Sequence, residues 1–408
     1  MILVLISPRN AGLPFAQWLS EESGRLVAVT AAGVEVGDEF AEVVTVADYT
    51  DDDAVLDAAM AAARRHRPRA ILALAEIDVD RAAMLRGELG LPGLKTVAAI
   101  VYRDKVPMKV FARAAGIRVP NFAPVTNTGE IIDFMASHPG RVVVKPRGGS
   151  GSTGVYVIDT PEQAADLDGV VSTEPYEVEE FVEGVLHHVD AFRVDGVPVA
   201  AVASRYTGQG CLEHWTDAPF GSRTLDTADP LSNRLVQETW RLVDALPSPP
   251  TVCVHAEFFV TADGEIVLCE VAARIGGGPI PRMLHQILGI DPRELWSRVE
   301  CGLPTDLDAV RARVSTAPLA AFYGVPPRQG RVLRLPEKPS GVVDFMINTY
   351  VGDEWSTERY TRRKSADFLA SWVVTDTDGV SLRAKLDSTA AAVSAGFGWE
   401  VVAPKGAA

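Results

Sequence analysis

Between Val142 and Ile158 the chain reads VVVKPRGGSGSTGVYVI. A branched apolar run ends in Lys145, and Gly148, Gly149, Ser150, Gly151, Ser152, Thr153 and Gly154 follow before apolar alternation resumes. A lysine beside nearly bare backbone suits a polyphosphate, because the ammonium supplies charge and the glycines leave amide N–H groups uncovered. The order is not that of a Walker A loop, whose lysine ends the loop and opens a helix. Here the lysine comes first and a strand follows. Taken alone, the stretch also admits the reading of a flexible hairpin with an incidental lysine.

Further along, Glu257 in HAEFFV and Glu270 in VLCEVAAR are separated by TADG, a good hairpin turn. Pairing those strands brings two carboxylates close together, where they repel unless a cation lies between them. Mg²⁺ does this in nucleotide sites, using one or two carboxylates together with phosphates. The plainer alternative is two unrelated, exposed strand glutamates. Each, however, is embedded among apolar residues, and Arg274 follows Glu270 by four positions. A guanidinium there can bind phosphate or stabilise an oxyanion, or simply pair with Glu270. The run Gly276 to Gly278 then permits close backbone approach.

These groups need a scaffold to converge. At 408 residues the chain is too long for one ordinary core, so roughly two to four lobes are expected. A net charge of -15 argues against a sequence-independent nucleic-acid binder, whose phosphate contacts need a basic face. No run approaches a membrane span, and MILVLISPR lacks the basic start and length of an export signal. Cys211, Cys253, Cys269 and Cys301 show no CxxC spacing, Cys253 and Cys269 lie in apolar strand-like runs where buried thiols are expected, and a reducing compartment, the cytoplasm, fits.

Residues 1–101 alternate ILVLIS, RLVAVT, EVVTV and AILALAE with the acid-capped helix DDDAVLDAAMAAARRH. That pattern predicts a doubly wound α/β domain, here without a GxGxxG signature. Residues 102–183 hold a helix, DKVPMKVFARAAG, and the strand–loop–strand around Lys145. Residues 184–303 are strand-rich and contain both glutamates, and residues 304–408 read as a small α+β lobe with the loops GVPPRQG and LPEKPSG.

In this order, DK before AGI-x-VP, KPxxGSGSxGV, EEFVEG and HAEF…E-x-x-x-R-x-GG resemble the ATP-grasp superfamily of carboxylate–amine ligases, in its L-amino-acid (dipeptide) type, from Met1 to about Gly302. The resemblance implies an ATP-grasp fold, α/β and α+β: an N-terminal α/β domain, a two-lobed ATP-binding core and a small C-terminal lobe. It implies that Lys105 and Lys145 hold the phosphates of ATP, under a lid formed by Gly149, Ser150, Gly151, Ser152, Thr153 and their neighbours. Glu179, Glu180, Phe181 and Val182 would form the hinge, with the Glu180 and Val182 backbone on adenine and the Glu179 side chain on its amino group. Glu257 and Glu270 would bind Mg²⁺, for which Mn²⁺ can substitute, and Arg274 would contact the transferred phosphate or acyl group.

Two departures stand out. The family's E-x-N supplies a further metal ligand, but here EVA places Ala272 at that position. A glutamate that often binds ribose is also missing from GVLHHVD, so His187 or His188 could serve, or could simply be exposed.

The leading expectation is therefore an ADP-forming ligase acting on a small-molecule carboxylate and an amine through an acyl phosphate. A biotin-carboxylase-like enzyme is less consistent with IGGGPI after Arg274, where that family typically reads QVEH. A non-catalytic ATP-binding module is kept open by Ala272. A homodimer is compatible with every reading, whereas nucleic acid and membrane are not expected partners. The polar, aromatic segment Ser204 to Arg223 is expected to shape the substrate pocket, or else to be an exposed loop.

Overall fold

The computed structural model describes residues 1–208, 220–361 and 367–401. Its first sheet is parallel, with strands β1 (Ile2–Ile6), β2 (Leu26–Ala31), β3 (Phe40–Val46) and β4 (Ala70–Ala73) in the order β3-β2-β1-β4. The central strands β1 and β2 are almost wholly buried because helices cover both faces, whereas edge strand β3 alternates buried and exposed residues. Helix Asp52–His66 links β3 to β4, and the Asp51 side chain caps it by accepting from Ala54 N at 3.0 Å.

The second sheet is antiparallel: β5 (Phe122–Val125), β6 (Val142–Pro146), β7 (Tyr156–Ile158) and β8 (Tyr176–Glu180), in the order β5-β8-β6-β7. Period-two alternation decides what each face carries. Val142, Val144, Tyr176 and Val178 pack into the core of this small lobe with Ile131 and Phe134 from helix Thr128–Ser137. Lys145, Glu177 and Glu179 therefore project from the opposite face.

The third sheet has eight strands. β9 (Val185–Val194), β10 (Val197–Tyr206), β11 (Phe220–Thr224), β12 (Val252–Val260) and β13 (Ile266–Ala272) form the large lobe. They continue into β14 (Leu319–Val325), followed in the chain by β15 (Gly330–Arg334), β16 (Val342–Ile347), β17 (Glu354–Trp355), β18 (Ala370–Asp376) and β19 (Gly398–Glu400). The full order is β13-β12-β9-β10-β11-β14-β18-β16, while β17-β15-β19 form a small separate sheet. The 304–408 region, expected to form a small α+β lobe, contributes β14, β18 and β16 to the large sheet. Its strands extend the large sheet, giving β11 a partner and removing the unpaired edge it would otherwise present. Helix Gly379–Gly396 covers the extension with Leu382, Leu386 and Val393.

On one face of the large sheet, Val189, Ala191, Val254, Ala256, Phe258 and Leu268 meet helices Lys105–Ala114 and Pro230–Ala245. On the other, Phe192, Cys253 and Phe322 meet helix Ile280–Leu288. That second face also carries the polar residues of the cleft. Among the described residues, no helix is long and apolar enough to cross a membrane.

Candidate active site

The cleft forms where three elements meet: the polar face of the small lobe, the start of helix Lys105–Ala114, and the β12–β13 hairpin. The helix start is fixed locally. Asp104 caps it by accepting from Val106 N at 3.0 Å, and Arg147 holds the same carboxylate at 3.0 and 2.5 Å. Lys105 N also donates to the Arg147 carbonyl at 3.1 Å, which ties the helix to the residue just before the glycine-rich loop. Lys105 consequently reaches two partners, the Gly149 carbonyl at 2.8 Å and Glu270 Oε2 at 3.0 Å.

Lys109, one helical turn on from Lys105, points to the same side. Its ammonium is buried between Glu177, at 2.6 Å, and Glu179. Lys145 completes this group, 2.6 Å from Glu179 and 3.8 Å from Glu177. Burial opposes the charge on Lys145, but Glu179 foremost among its neighbours holds the ammonium above its ordinary range. Burial likewise opposes the Glu179 charge, and Lys109 and Lys145 outweigh it, holding the carboxyl below its ordinary range. The Glu179 side chain, expected on the adenine amino group, is here committed to two lysines. Neither Lys109 nor Glu177 was singled out in the sequence, although the alternation of YEVEE and the i, i+4 spacing of KVPMK place both on the cleft side.

The loop from Gly148 to Gly154 turns with positive φ at Gly151 (64°), Ser152 (57°) and Gly154 (70°). At Gly154 a Cβ would lie 2.9 Å from Pro146 Cγ, so a side chain there is disfavoured both by conformation and by space. Ser150 and Thr153 are exposed. At the hinge, Glu180 N donates to the Asn121 carbonyl at 2.9 Å, and the Glu180 carboxylate is held by Arg118 and by Asn121 at 2.6 Å. Phe181 lies under Arg141, whose guanidinium carbon is 4.8 Å from the ring centre, and Val182 is half-buried in the connection to β9.

Opposite this wall, β12 and β13 pair with Glu257 directly across from Glu270. The register shifts between Glu257 and Phe258, where Leu268 faces Phe258 and Cys269 becomes the extra residue. This bulge turns both Cys269 and Glu270 toward the cleft, which strict alternation would not do. Cys269, expected as a buried strand thiol, lies close enough to Lys145, Glu257 and Glu270 to feel their charges, while burial pushes its thiol up. Ala272 sits on the same face opposite His255 and contributes no donor atom. The Glu257 carboxylate accepts from Tyr206 Oη at 2.8 Å and from His255 Nε2 at 3.3 Å. Although burial opposes its charge, His255 and Tyr206 keep it below the usual carboxylate range. His187 and His188 are both buried, so neither is the exposed residue that was one reading of GVLHHVD.

Arg274 does not pair with Glu270. Its Nε donates to Glu76, which also accepts from Arg103. Burial opposes the Glu76 charge, but Arg274 and then Arg103 bring its carboxyl down to about 2. Glu76 lies just beyond the carboxyl end of β4, where open α/β sheets usually place ligand-binding residues, and that position was the signal available in the sequence. Residues 209–219, most of the segment expected to shape the pocket, lie outside the described residues.

The donor set suits a hard divalent cation. Glu257 and Glu270 offer carboxylate oxygens from adjacent strands, and the Lys105 ammonium already lies 3.0 Å from Glu270.

No family model matches the chain. A curated relative, an L-arginine-specific L-amino acid ligase of Bacillus subtilis, is 25% identical over 314 residues, covering 69% of this chain and 70% of the relative. Among solved structures, an L-amino acid ligase from Bacillus licheniformis superposes with a TM-score of 0.77 at 15% identity, covering 98% of both chains. The chain has the ATP-grasp fold, and its sequence is similar to that of carboxylate–amine ligases. An ADP complex of N5-carboxyaminoimidazole ribonucleotide synthetase is a further ATP-grasp neighbour, with a TM-score of 0.68 at 14% identity over 95% of each chain. This ATP-grasp architecture accounts for the two lobes facing each other across the cleft.

Proposed function

We propose that the protein is an ADP-forming ligase that activates an amino-acid-like carboxylate as an acyl phosphate and joins it to an amine. The observation that carries this reading is the convergence, across the cleft, of Lys105 with Glu270 at 3.0 Å beside Lys145 and Glu257. Phosphoryl transfer asks a protein for positioning and charge neutralisation more than for covalent help. Lys145 and Lys105 supply positive charge for the phosphates of ATP, and the Gly148–Gly154 backbone covers them. Glu257 and Glu270 would hold Mg²⁺, which would neutralise charge on the phosphates. Arg274, beside the Gly276–Gly278 run, orients the acyl group, and Glu76 aims that guanidinium. Closure of the loop keeps water from the acyl phosphate until the amine attacks.

Pooled amino acids with ATP should release ADP, and mass spectrometry should find a product equal to two substrates less water. With ¹⁸O-labelled carboxylate, one label should appear in the released phosphate. AMP and pyrophosphate as products would exclude the mechanism, and ADP release that requires bicarbonate and biotin would indicate a carboxylase instead.

A further inference from the structure

Behind Glu257 the large sheet buries a chain of polar groups for which the reaction above gives no reason. Asp190 on β9 is its junction. Its Oδ1 accepts from Gly276 N at 3.1 Å and lies 3.0 Å from His255 Nδ1, while its Oδ2 lies 2.8 Å from His188 Nδ1. His188 Nε2 continues to Ser222 Oγ at 2.8 Å, and His255 Nε2 reaches Glu257 Oε1 at 3.3 Å. Asp190, His188, His255 and Ser222 are all buried. A Cβ on Gly276 would lie 2.9 Å from Asp190 Oδ1, from His255 Nδ1 and from Ile280 Cδ1, so the loop backbone is seated directly on this cluster.

Burying a carboxylate costs several kcal/mol unless hydrogen bonds and charge compensate it, and an apolar residue of similar size would often serve the fold equally well. Phe192 and Cys253, which flank Asp190 and His255 on the same face, show that this face accepts apolar residues. The chain leads to two cleft elements: the Glu257 carboxylate and the backbone of the loop that begins at Arg274.

One ligand atom from each of His188, Asp190 and His255 falls within 4.8 Å of the others, a spacing that could itself hold a metal ion. Against that, their nitrogens and oxygens are already engaged with one another, with Ser222, with Glu257 and with Gly276. Hydrogen bonding, not ligation, satisfies them.

We infer that Asp190 is a positioning residue: through His255 it orients Glu257, and through the Gly276 amide it sets the Arg274–Gly278 loop at a fixed place relative to that carboxylate. The cation site and the acyl-substrate site are thereby held in register. The inference rests on the ligase reading. Removing partners that orient metal ligands typically lowers metal affinity about 10–100-fold.

The test is Mn²⁺ titration of the whole protein in the presence of ADP, followed by electron paramagnetic resonance, alongside carboxylate KM and kcat. Asp190→Asn should weaken Mn²⁺ binding about tenfold and raise the carboxylate KM, whereas Ser222→Ala, which leaves the Asp190–His255–Glu257 links intact, should change neither. Gly276→Ala pushes on the same two side chains and should reproduce both effects, so it carries the test if Asp190→Asn does not fold. A folded Asp190→Asn protein with wild-type Mn²⁺ affinity overturns the inference. Stoichiometric zinc in the purified protein, lost in Asp190→Asn, overturns it by making the cluster a metal site. If the wild type itself shows no ADP-dependent Mn²⁺ binding, the ligase reading fails first and the inference falls with it.

Discussion

The two walls of the cleft neutralise their charges in different ways. On the small-lobe side, Lys109 and Lys145 face Glu177 and Glu179 in a buried quartet of two positive and two negative charges. On the large-lobe side, Glu257 is held by Tyr206 and His255, and Glu270 keeps a side chain that is 31% exposed, with Lys105 reaching it from the helix. The first wall is closed on itself: for Lys145 to engage phosphate, it must share or release Glu179. The second wall is open on the cleft side and braced from behind. A lysine wall of this kind couples function to folding stability, whereas a braced carboxylate wall can lose a ligand without losing its shape.

The largest expected effect is on the closed wall. Lys145→Ala should lower ADP formation about 10²–10³-fold, as loss of one preorganised charge typically does. It should also cost about 3–5 kcal/mol in urea unfolding, because it leaves a buried carboxylate short of its partner. Glu270→Ala on the open wall should show a similar loss of rate with a smaller stability change, because Lys105 keeps the Gly149 carbonyl as a partner. Equal stability losses in the two variants would erase the distinction between the walls.

A smaller effect concerns the domain contact beside the cleft. The Glu76 carboxyl sits at about 2, below its ordinary 4.5, under the influence of Arg274 and Arg103 against the opposing effect of burial. A lowered carboxyl contributes stability that is fully present above the unfolded value and is lost as pH falls through the folded one. Thermal unfolding midpoints should therefore drop between about pH 4.5 and 2, and Glu76→Gln should flatten that part of the profile. A profile unchanged by the substitution would mean that other carboxylates govern acid sensitivity.

The smallest effect is expected at Ala272, which faces His255 and supplies no ligand atom. Ala272→Asn should lower the half-saturating Mg²⁺ concentration a few-fold, since a carboxamide oxygen adds one donor to an oxygen site. An unchanged Mg²⁺ curve in an active variant would show that water or another group already fills that position.

Much of the site could be read from local sequence, and the part that could not has a common cause. Lys145, the glycine loop, Lys105, Glu257 and Glu270 each sit in a short segment that local turn or alternation places, and the structure brings them to one cleft. Glu76, Lys109, Glu177, Asp190 and His255 act through partners tens to hundreds of positions away, as with Arg274 and Glu76. Local pattern can place such a residue at a strand end or on a face, but it cannot name the distant partner through which it acts.

What the sequence by itself determined is the set of elements and the faces they offer: parallel strands from continuous apolar runs, cleft-facing charges from period-two alternation, and a helix capped by Asp104. Tertiary structure decided the rest. Only strand pairing creates the bulge that turns Glu270 into the cleft, and only strand pairing brings β14, β18 and β16 onto the edge of the large sheet. Ion pairing follows the same rule. Which carboxylate meets which cation depends on distances of a few ångströms between lobes, and those distances exist only once the cores beneath them have packed.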